Sequence, residues 1–573
     1  MVRRGVSFVA VCRRAVARAA PALLAATLAV AMTWPLVLNV GSDIPKDLGD
    51  PLLQTWQVAW IGHAVLHQPL DLFQANVYWP LPDTLAFTDA LVGYAPAGLL
   101  AQRGPHAALV TYNLLFLFAY TLAFLGAYLL ARELGAGRAG GIAAGAAFAY
   151  APWRLAQNGH LQVLSSGGIP LALFLLLRGY RRGSPRLVLC GWLVAAWQMT
   201  LGFTLGLQLA YLLAVLAAII LVARVSGYVG AVSRGVAVAT AAGVLVLILV
   251  TIMQARPYLR VIDDHPEAER SPAHVESFSP EPRSFLAAPA QSLVWGDASF
   301  RARATLPAPD EQTLFPGLTV VLLALIGLAG SVYTTRLRVG LALAVAVCAV
   351  LSLGLRDVSG PGKYLTPYRV LYDLAPGWDG VRTPGRLTTL TSLGLALLAG
   401  AGLCVVTRYV RRRAASLPGH GARAAAAGVS TLLVGAILVE GLGPIEHPSV
   451  PEAPPGQRLA VPPQLHLPWE SVDFRHIYWS TAGFPPIVNG AGAFDPESMY
   501  KLRLPVESFP DGPSVSALRR LGVRTVVLHP DQVVGTPWEH AARKPVAQLP
   551  LVRTRADGVI LYTLRPGAPV KRR

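Results

Sequence analysis

Charge is what this sequence has least of. Only 14% of its 573 residues are Asp, Glu, Lys or Arg, where a soluble globular chain carries about 25%. Acidic residues number 31, and the long apolar runs are almost free of ionisable side chains. Glu440, near the outer end of the last run, and His160, between two runs, stand out. A proton- or ion-coupled carrier needs carboxylates at membrane depth, so this scarcity argues against a pump. Four cysteines in 573 residues are too few for a disulfide scaffold. Cys12, Cys190, Cys348 and Cys404 fall in or beside apolar runs, so no disulfide framework is expected. No internal repeat is evident, which weakens an inverted-repeat transporter. No P-loop, dinucleotide fingerprint or zinc-finger spacing occurs.

What is present is apolar: 53% of the residues are hydrophobic, and mean hydropathy is +0.48. This excludes disordered and collagen-like chains and leaves a polytopic membrane protein. Apolar runs lie at 19–40, 107–131, 139–153, 163–178, 187–203, 205–223, 235–254, 315–335, 339–355, 387–407 and 424–443, so about eleven membrane-spanning helices are expected. The formal net charge of +18 would suggest nucleic acid in a soluble protein. Here five basic residues are lysine and 44 arginine, and many of the arginines cluster between apolar runs (Arg178 to Arg186, Arg336 and Arg338, Arg408 to Arg413). That is the positive-inside pattern, and nucleic acid is not an expected partner. With Arg3, Arg4, Arg13, Arg14 and Arg18 ahead of the first run, the N-terminus is expected inside. The first run is expected to be a retained helix, and an odd number of crossings places the C-terminus outside.

The outside segments are long: 41–106, 256–314, 356–386 and everything after 443. The spacing predicts a membrane domain over 1–443, a Pro-rich linker over 444–470 and a small α/β domain over 471–573. Within the latter, Ser514 to Leu521 reads as a helix closed by Gly522. Val523 to His529 reads as a strand, and Leu549–Thr554 with Val559–Leu564 as a hairpin about Ala556-Asp557-Gly558. The fold class expected is therefore an all-α polytopic membrane bundle with a small extracytoplasmic α/β domain at its C-terminus.

The first outside loop holds Asp43, Asp47 and Asp50 within eight residues, broken by Pro45 and Gly49. Asp50-Pro51 is predicted to open a helix, with Asp50 as N-cap and Pro51 at N1. Along that helix Leu53, Trp56, Trp60 and Ala64 share a face, and the tryptophans suit a lipid–water interface. A cap accounts for Asp50 without any chemistry; Asp43 and Asp47 read either as a solvated turn or as catalytic carboxylates. His63 and His67, at i and i+4, read as an interfacial polar edge in the absence of a third ligand. Asp263-Asp264-His265 reads as a solvated charged loop.

Several of these segments together resemble a known group. Gly49-Asp50-Pro51-Leu52-Leu53 with Trp56 and Trp60, Asn76 to Pro80, Thr84 to Asp89, Pro152-Trp153-Arg154 with His160, Glu311 with Leu314 to Gly317, Arg382-Thr383-Pro384-Gly385-Arg386, and Leu521 to Arg524 resemble a widespread family of bacterial multispanning proteins of largely unassigned function. A carboxylate in the first outer loop, directly after the first span, resembles the GT-C superfamily of integral membrane glycosyltransferases.

The resemblance implies transfer of a sugar from a polyprenyl-phosphate donor to a cell-envelope glycan, lipid or protein on the outer face of the cytoplasmic membrane. Membrane lipids, the donor and the acceptor would be its partners. It implies a loop carboxylate as base (Asp50 or Asp43), with Asp89 as a second carboxylate. Asp50 and Asp89 would hold a divalent metal, Mg or Mn, where one is used. Arg382, Arg386 and Arg154 would bind the donor phosphate, since guanidinium forks match phosphate oxygens; snorkelling at a helix start is the competing account of Arg382 and Arg386. His160, Trp56 and Glu311 would line the cavity, although a hydrogen-bonding role for His160 and a helix-start role for the Glu311 segment serve as well. The carboxylates are spread along the loop instead of adjacent, a departure from the simplest GT-C pattern. Tyr478, Trp479 and Phe494 are sugar-stacking or core residues. The alternative function is a lipid-linked saccharide transporter or a non-catalytic envelope assembly factor.

Overall fold

The computed structural model describes residues 8–565 other than 229, 331, 359, 361–365, 417–419 and 471. Each of the eleven apolar runs carries helix, and among the described residues seven helices are long and apolar enough to cross a membrane. These are Pro105–Leu134, Leu161–Arg182, Phe203–Val225, Arg234–Asp264, Thr335–Ser352, Pro384–Arg413 and Gly421–Glu440, and they make the chain a multi-pass membrane protein. These seven do not confirm the expected count of about eleven. Runs 139–153, 187–203 and 315–335 give Arg138–Ala149, Pro185–Met199 and Leu318–Ala329, of 12, 15 and 12 residues. At 1.5 Å per residue, 12 residues cover about 18 Å of a hydrocarbon core about 30 Å thick. Proline and glycine punctuate these runs, which counting apolar residues does not register. Ala151, before Pro152, is extended, as a residue preceding proline prefers. Leu318–Ala329 starts after Gly317 at φ 96° and stops at Gly330.

The chain divides into two compact units: Met1–Leu38, Leu115–Thr251 and Arg270–Glu446 form one, and Asn39–Leu114, Ile252–Glu269 and His447–Arg573 the other. In the first, the helix continuing from Pro384 to Arg413 is the central one, with 78% of its apolar window buried, against 6% for Thr335–Ser352 and 11% for Gly421–Glu440. Lipid offers no hydrophobic drive between helices, so close approach through small residues supplies the packing. At Gly140 and Gly400 each helix presses on the other's backbone, and a Cβ on either would strike the partner's carbonyl. Glu440, the carboxylate flagged at the end of the last run, is buried and accepts from the backbone N and the hydroxyl of Thr319. It caps the positive N-terminal end of Leu318–Ala329, a helix-dipole role.

The second unit joins the first outer loop to the tail. A four-stranded sheet runs in the order β1 (Gln464–Leu467), β2 (Thr525–Leu528), β4 (Val559–Leu564), β3 (Leu551–Ala556). β1 and β2 are parallel, Gln464 facing Thr525, and the other pairs are antiparallel. The β3–β4 hairpin turns at Asp557-Gly558, and Gly512–Leu521 ends at Gly522 with φ 100°, as the sequence predicts. β1 corrects the reading of 444–470 as a linker. Its four residues are all buried, the polar Gln464 and His466 included, so it lacks the apolar run by which a strand covered on both faces is recognised. The same stretch pairs with the first loop: Ile44 N donates to Pro448 O (3.1 Å) and Val450 N to Ser42 O (2.7 Å).

Candidate active site

In the membrane unit the flagged charges collect around one buried carboxylate. The short turn Pro309–Gln312 carries Glu311 and is locked by its neighbour Gln312, whose amide donates to Ser277 O (3.1 Å) and Ser279 O (3.0 Å). Gln157 Nε2 donates to Asp310 O at 2.6 Å, tying the 152–159 turn to it. Gly385 lets the Pro384–Leu387 turn come close, since a Cβ there would stand 2.7 Å from Glu311 O. Arg386 then forks onto Glu311, with Nη2–Oε1 at 2.6 Å and Nε–Oε2 at 3.3 Å. Both side chains are 8% exposed. His160 Nε2 lies 3.9 Å from Glu311 Oε1, and its Nδ1 is 3.1 Å from Gln157 Oε1. Arg382, half-buried, lies with its guanidinium over the Phe278 ring at 4.8 Å.

Burial pushes the Glu311 carboxyl up. The guanidinium of Arg386 and the imidazole of His160 outweigh this, helped by the hydrogen bond from Arg386 and by Arg382, and hold it at about 2. A carboxyl so low is ionised throughout the physiological range and makes a poor general base. The sequence flagged Arg386 as a phosphate ligand and Glu311 as a cavity residue; the structure joins them into an ion pair. Arg382 brings a second guanidinium charge to bear on the same carboxylate.

Arg154 departs from its expected role. It is 1% exposed, its guanidinium lies 5.6 to 5.9 Å from the ring centroids of Tyr120, Phe148 and Trp153, and it donates to Ser166 Oγ (3.1 Å) and Leu164 O (3.0 Å). Burial lowers its pKa. The cavity beside it, lined by Tyr120, Tyr150, Leu155 and Gly441 among others, holds about one water molecule. Arg154 is thus an internal brace, with no room for a sugar phosphate.

In the loop-and-tail unit, Gly49 is the cap of the Asp50–His67 helix and Asp50 its first residue, correcting the cap assigned to Asp50. Asp47 Oδ1 accepts from Gly49 N at 2.8 Å. Asp50 is half-buried and Asp47 exposed. Asp43 Oδ1 accepts from the hydroxyls of Ser42 and Ser449, both at 3.0 Å. Asp89 is half-buried, and its carbonyl accepts from Gln57 Nε2 at 3.0 Å. Trp56 and Trp60 are buried, not interfacial. Trp56 Nε1 donates to Asn76 Oδ1 and Trp60 Nε1 to Leu72 O, both at 2.9 Å. His63 and His67 stack with centroids 4.3 Å apart. Tyr478 and Trp479 are core, with Trp479 Nε1 bonded to Pro451 O, and Phe494 is half-buried.

Sequence reasoning missed Asp83. It is buried, left-handed at φ 53°, and gripped by Arg260 at 2.7 and 2.9 Å. Nothing in the sequence links the two across 177 residues. Among the described residues, neither Asp50 nor Asp89 belongs to a set of three His, Cys, Asp or Glu side chains close enough to share a metal ion. The donor set described in this loop does not make a metal site by itself.

No family model and no curated protein matches the chain. Solved structures do. The arabinofuranosyltransferase AftD from Mycobacteria aligns with TM-score 0.58 at 16% identity, over 97% of this chain and 40% of that one. A point variant of the same protein aligns with TM-score 0.57 at 14% identity, over 96% of this chain and 41% of that one. The oligosaccharyltransferase AglB from Archaeoglobus fulgidus aligns with TM-score 0.47 at 14% identity, over 97% of this chain and 75% of that one. The chain spans about two fifths of the length of the AftD chain it matches. The likeness to AftD shows a GT-C-like fold.

Proposed function

We propose that this protein is a membrane glycosyltransferase that moves a sugar from a polyprenyl-phosphate donor to a cell-envelope acceptor. It sits in the cytoplasmic membrane with its N-terminus inside and its C-terminus outside. The observation that carries the reading is the likeness of the fold to AftD over nearly the whole chain. The cationic cluster of Arg382 and Arg386 about Glu311 supports it, because such a reaction must stabilise a departing phosphate.

A loop carboxylate, Asp50 or Asp43, takes the proton of the acceptor hydroxyl. The acceptor oxygen bonds the anomeric carbon as the bond from that carbon to the phosphate oxygen breaks, and the electron pair leaves with the polyprenyl phosphate. Charge grows on that phosphate in the transition state, where fixed guanidinium donors act most strongly. Arg386 is oriented by Glu311, and Arg382 brings the second positive charge. Asp89 is the second loop carboxylate, positioning the acceptor.

The test uses the full chain in lipid nanodiscs with a panel of radiolabelled polyprenyl-phosphate sugars. Wild type should transfer or hydrolyse one of them. Asp50→Asn or Asp43→Asn should lower turnover by about 100-fold or more, the usual contribution of a general base, while donor binding persists. Absence of both turnover and donor binding across the panel would overturn the proposal in favour of transport or assembly.

A further inference from the structure

Three histidines meet in the core beneath the C-terminal sheet. His466 lies on β1, His476 on the helix Asp473–Trp479, and His529 directly after β2. Their exposures are 1%, 0% and 0%. One ring nitrogen from each lies within 4.8 Å of the others. The rings stack, with centroids 5.0 Å (His466 to His476), 4.9 Å (His476 to His529) and 5.4 Å (His466 to His529) apart.

As plain core residues these rings are poorly served. His529 Nδ1 has no hydrogen-bond partner, and His476 has Asp473 and Gln532 beside it but neither in regular hydrogen-bond geometry. Such a buried polar atom costs about 1–3 kcal/mol, and one of them, His476 Nε2, is the atom a shared ion would take up. His466 Nδ1 and His529 Nε2 stand 3.1 Å apart. Two nitrogens bound to one tetrahedral zinc at about 2.0–2.1 Å stand about 3.3 Å apart. The closest pair is therefore already at ligand spacing.

Neighbouring side chains fix the ring orientations, as the hydrogen-bond partners of metal-bound imidazoles do. Gln464 Oε1 lies 3.2 Å from His466 Nε2; accepting the Nε2 proton there leaves the Nδ1 lone pair facing inward. Asp473 Oδ1 lies 3.5 Å from His476 Nδ1, which leaves Nε2 of that ring as the ligand. Asn489 fixes this frame: its Nδ2 donates to Asp473 Oδ1 (2.8 Å) and to His466 O (3.0 Å), and its Oδ1 accepts from His466 N (2.7 Å).

We propose that His466, His476 and His529 bind one divalent transition-metal ion of the zinc class. Imidazole nitrogens select such ions, whereas magnesium and calcium take oxygen ligands. The ligands come from two strands and the helix between them, up to 63 residues apart in sequence, so the ion staples the core of the loop-and-tail unit. Its burial keeps it away from substrate. The site is independent of the proposed glycosyl transfer.

The test is made on full-length protein purified without a metal-affinity tag. Elemental analysis should find about one zinc per chain, as a single three-histidine site predicts. Chelation should lower the thermal midpoint, and zinc should restore it. His476→Ala and His529→Gln should lose the metal and the zinc-dependent rise together. Cobalt(II) added to chelated wild type needs no variant, and should give the visible absorption of a tetrahedral nitrogen site. Metal-free wild type that neither gains stability from zinc nor develops the cobalt spectrum would overturn the proposal. So would zinc that stays bound when His476 and His529 are replaced in folded protein.

Discussion

Arg386 reaches Glu311 across 75 residues of sequence with a two-point contact, Nη2–Oε1 at 2.6 Å and Nε–Oε2 at 3.3 Å, both side chains 8% exposed. Removing one member of a buried pair leaves an uncompensated charge, which costs about 3–5 kcal/mol. Arg386→Ala and Glu311→Gln should each lower the thermal midpoint of the protein in nanodiscs. Arg386→Lys keeps the charge but loses the fork and should recover only part of the loss. If the pair is the cause, Glu311→Gln with Arg386→Met should be more stable than either single variant. Two additive losses would refute it.

The same pair sets an acid limb. The Glu311 carboxyl is depressed from 4.5 to about 2 in the folded protein. A depressed carboxylate contributes stability above its unfolded pKa, and that contribution is lost as pH falls through the folded value. Between pH 4.5 and about 2, wild type should therefore lose stability more steeply than Glu311→Gln. Thermal midpoints of the two proteins across this window should converge as pH falls. Parallel curves would show that Glu311 does not titrate in the window.

How much of this was legible depends on whether a feature is local. Apolar runs, the Gly522 stop and the β3–β4 hairpin are written in neighbouring residues, and the structure has them where the sequence predicts. Helix lengths were less legible, because Pro152, Gly317 and Gly330 cut runs that hydropathy alone joins. Glu311, Arg386 and His160 were each flagged, but their union depends on three turns meeting and has no signature in spacing. Arg154 looked like a phosphate ligand because an arginine beside Pro152-Trp153 does not reveal that Tyr120, Phe148 and Trp153 enclose it. The three histidines, ten and then 53 residues apart, match no metal-binding spacing. His466 lies in the alternating strand Gln464–Leu467, and His529 follows the apolar strand Thr525–Leu528.

Asn76 links the first loop to the tail. It accepts from Trp56 Nε1 (2.9 Å) and donates to Ser480 Oγ (3.0 Å) and Pro485 O (2.9 Å), all in the interior. Asn76→Ala strips the buried indole N–H of its acceptor and should cost about 1–3 kcal/mol. Hydrogen exchange should rise at Trp79 N and Ile487 N, which donate to Ile487 O and Asn76 O. Unchanged exchange there would mean that backbone pairing alone joins loop and tail.

Arg382 and Arg154 separate recognition from support. Arg382 is half-buried beside Phe278, and hydrogen bonds to charged groups contribute about 1.5–3 kcal/mol. Arg382→Ala should therefore raise the KM for a polyprenyl-phosphate sugar by about tenfold or more, with the thermal midpoint nearly unchanged. Arg154 is enclosed by aromatic rings and holds Leu164 O and Ser166 Oγ, so Arg154→Met should do the reverse. Its midpoint should fall, because the two acceptors lose their donor, while the KM of the protein that remains folded stays close to wild type. Donor titrations and melting curves on the two variants read both quantities. A KM increase confined to Arg154→Met would reverse the assignment, placing the phosphate at the buried arginine and leaving Arg382 a surface charge.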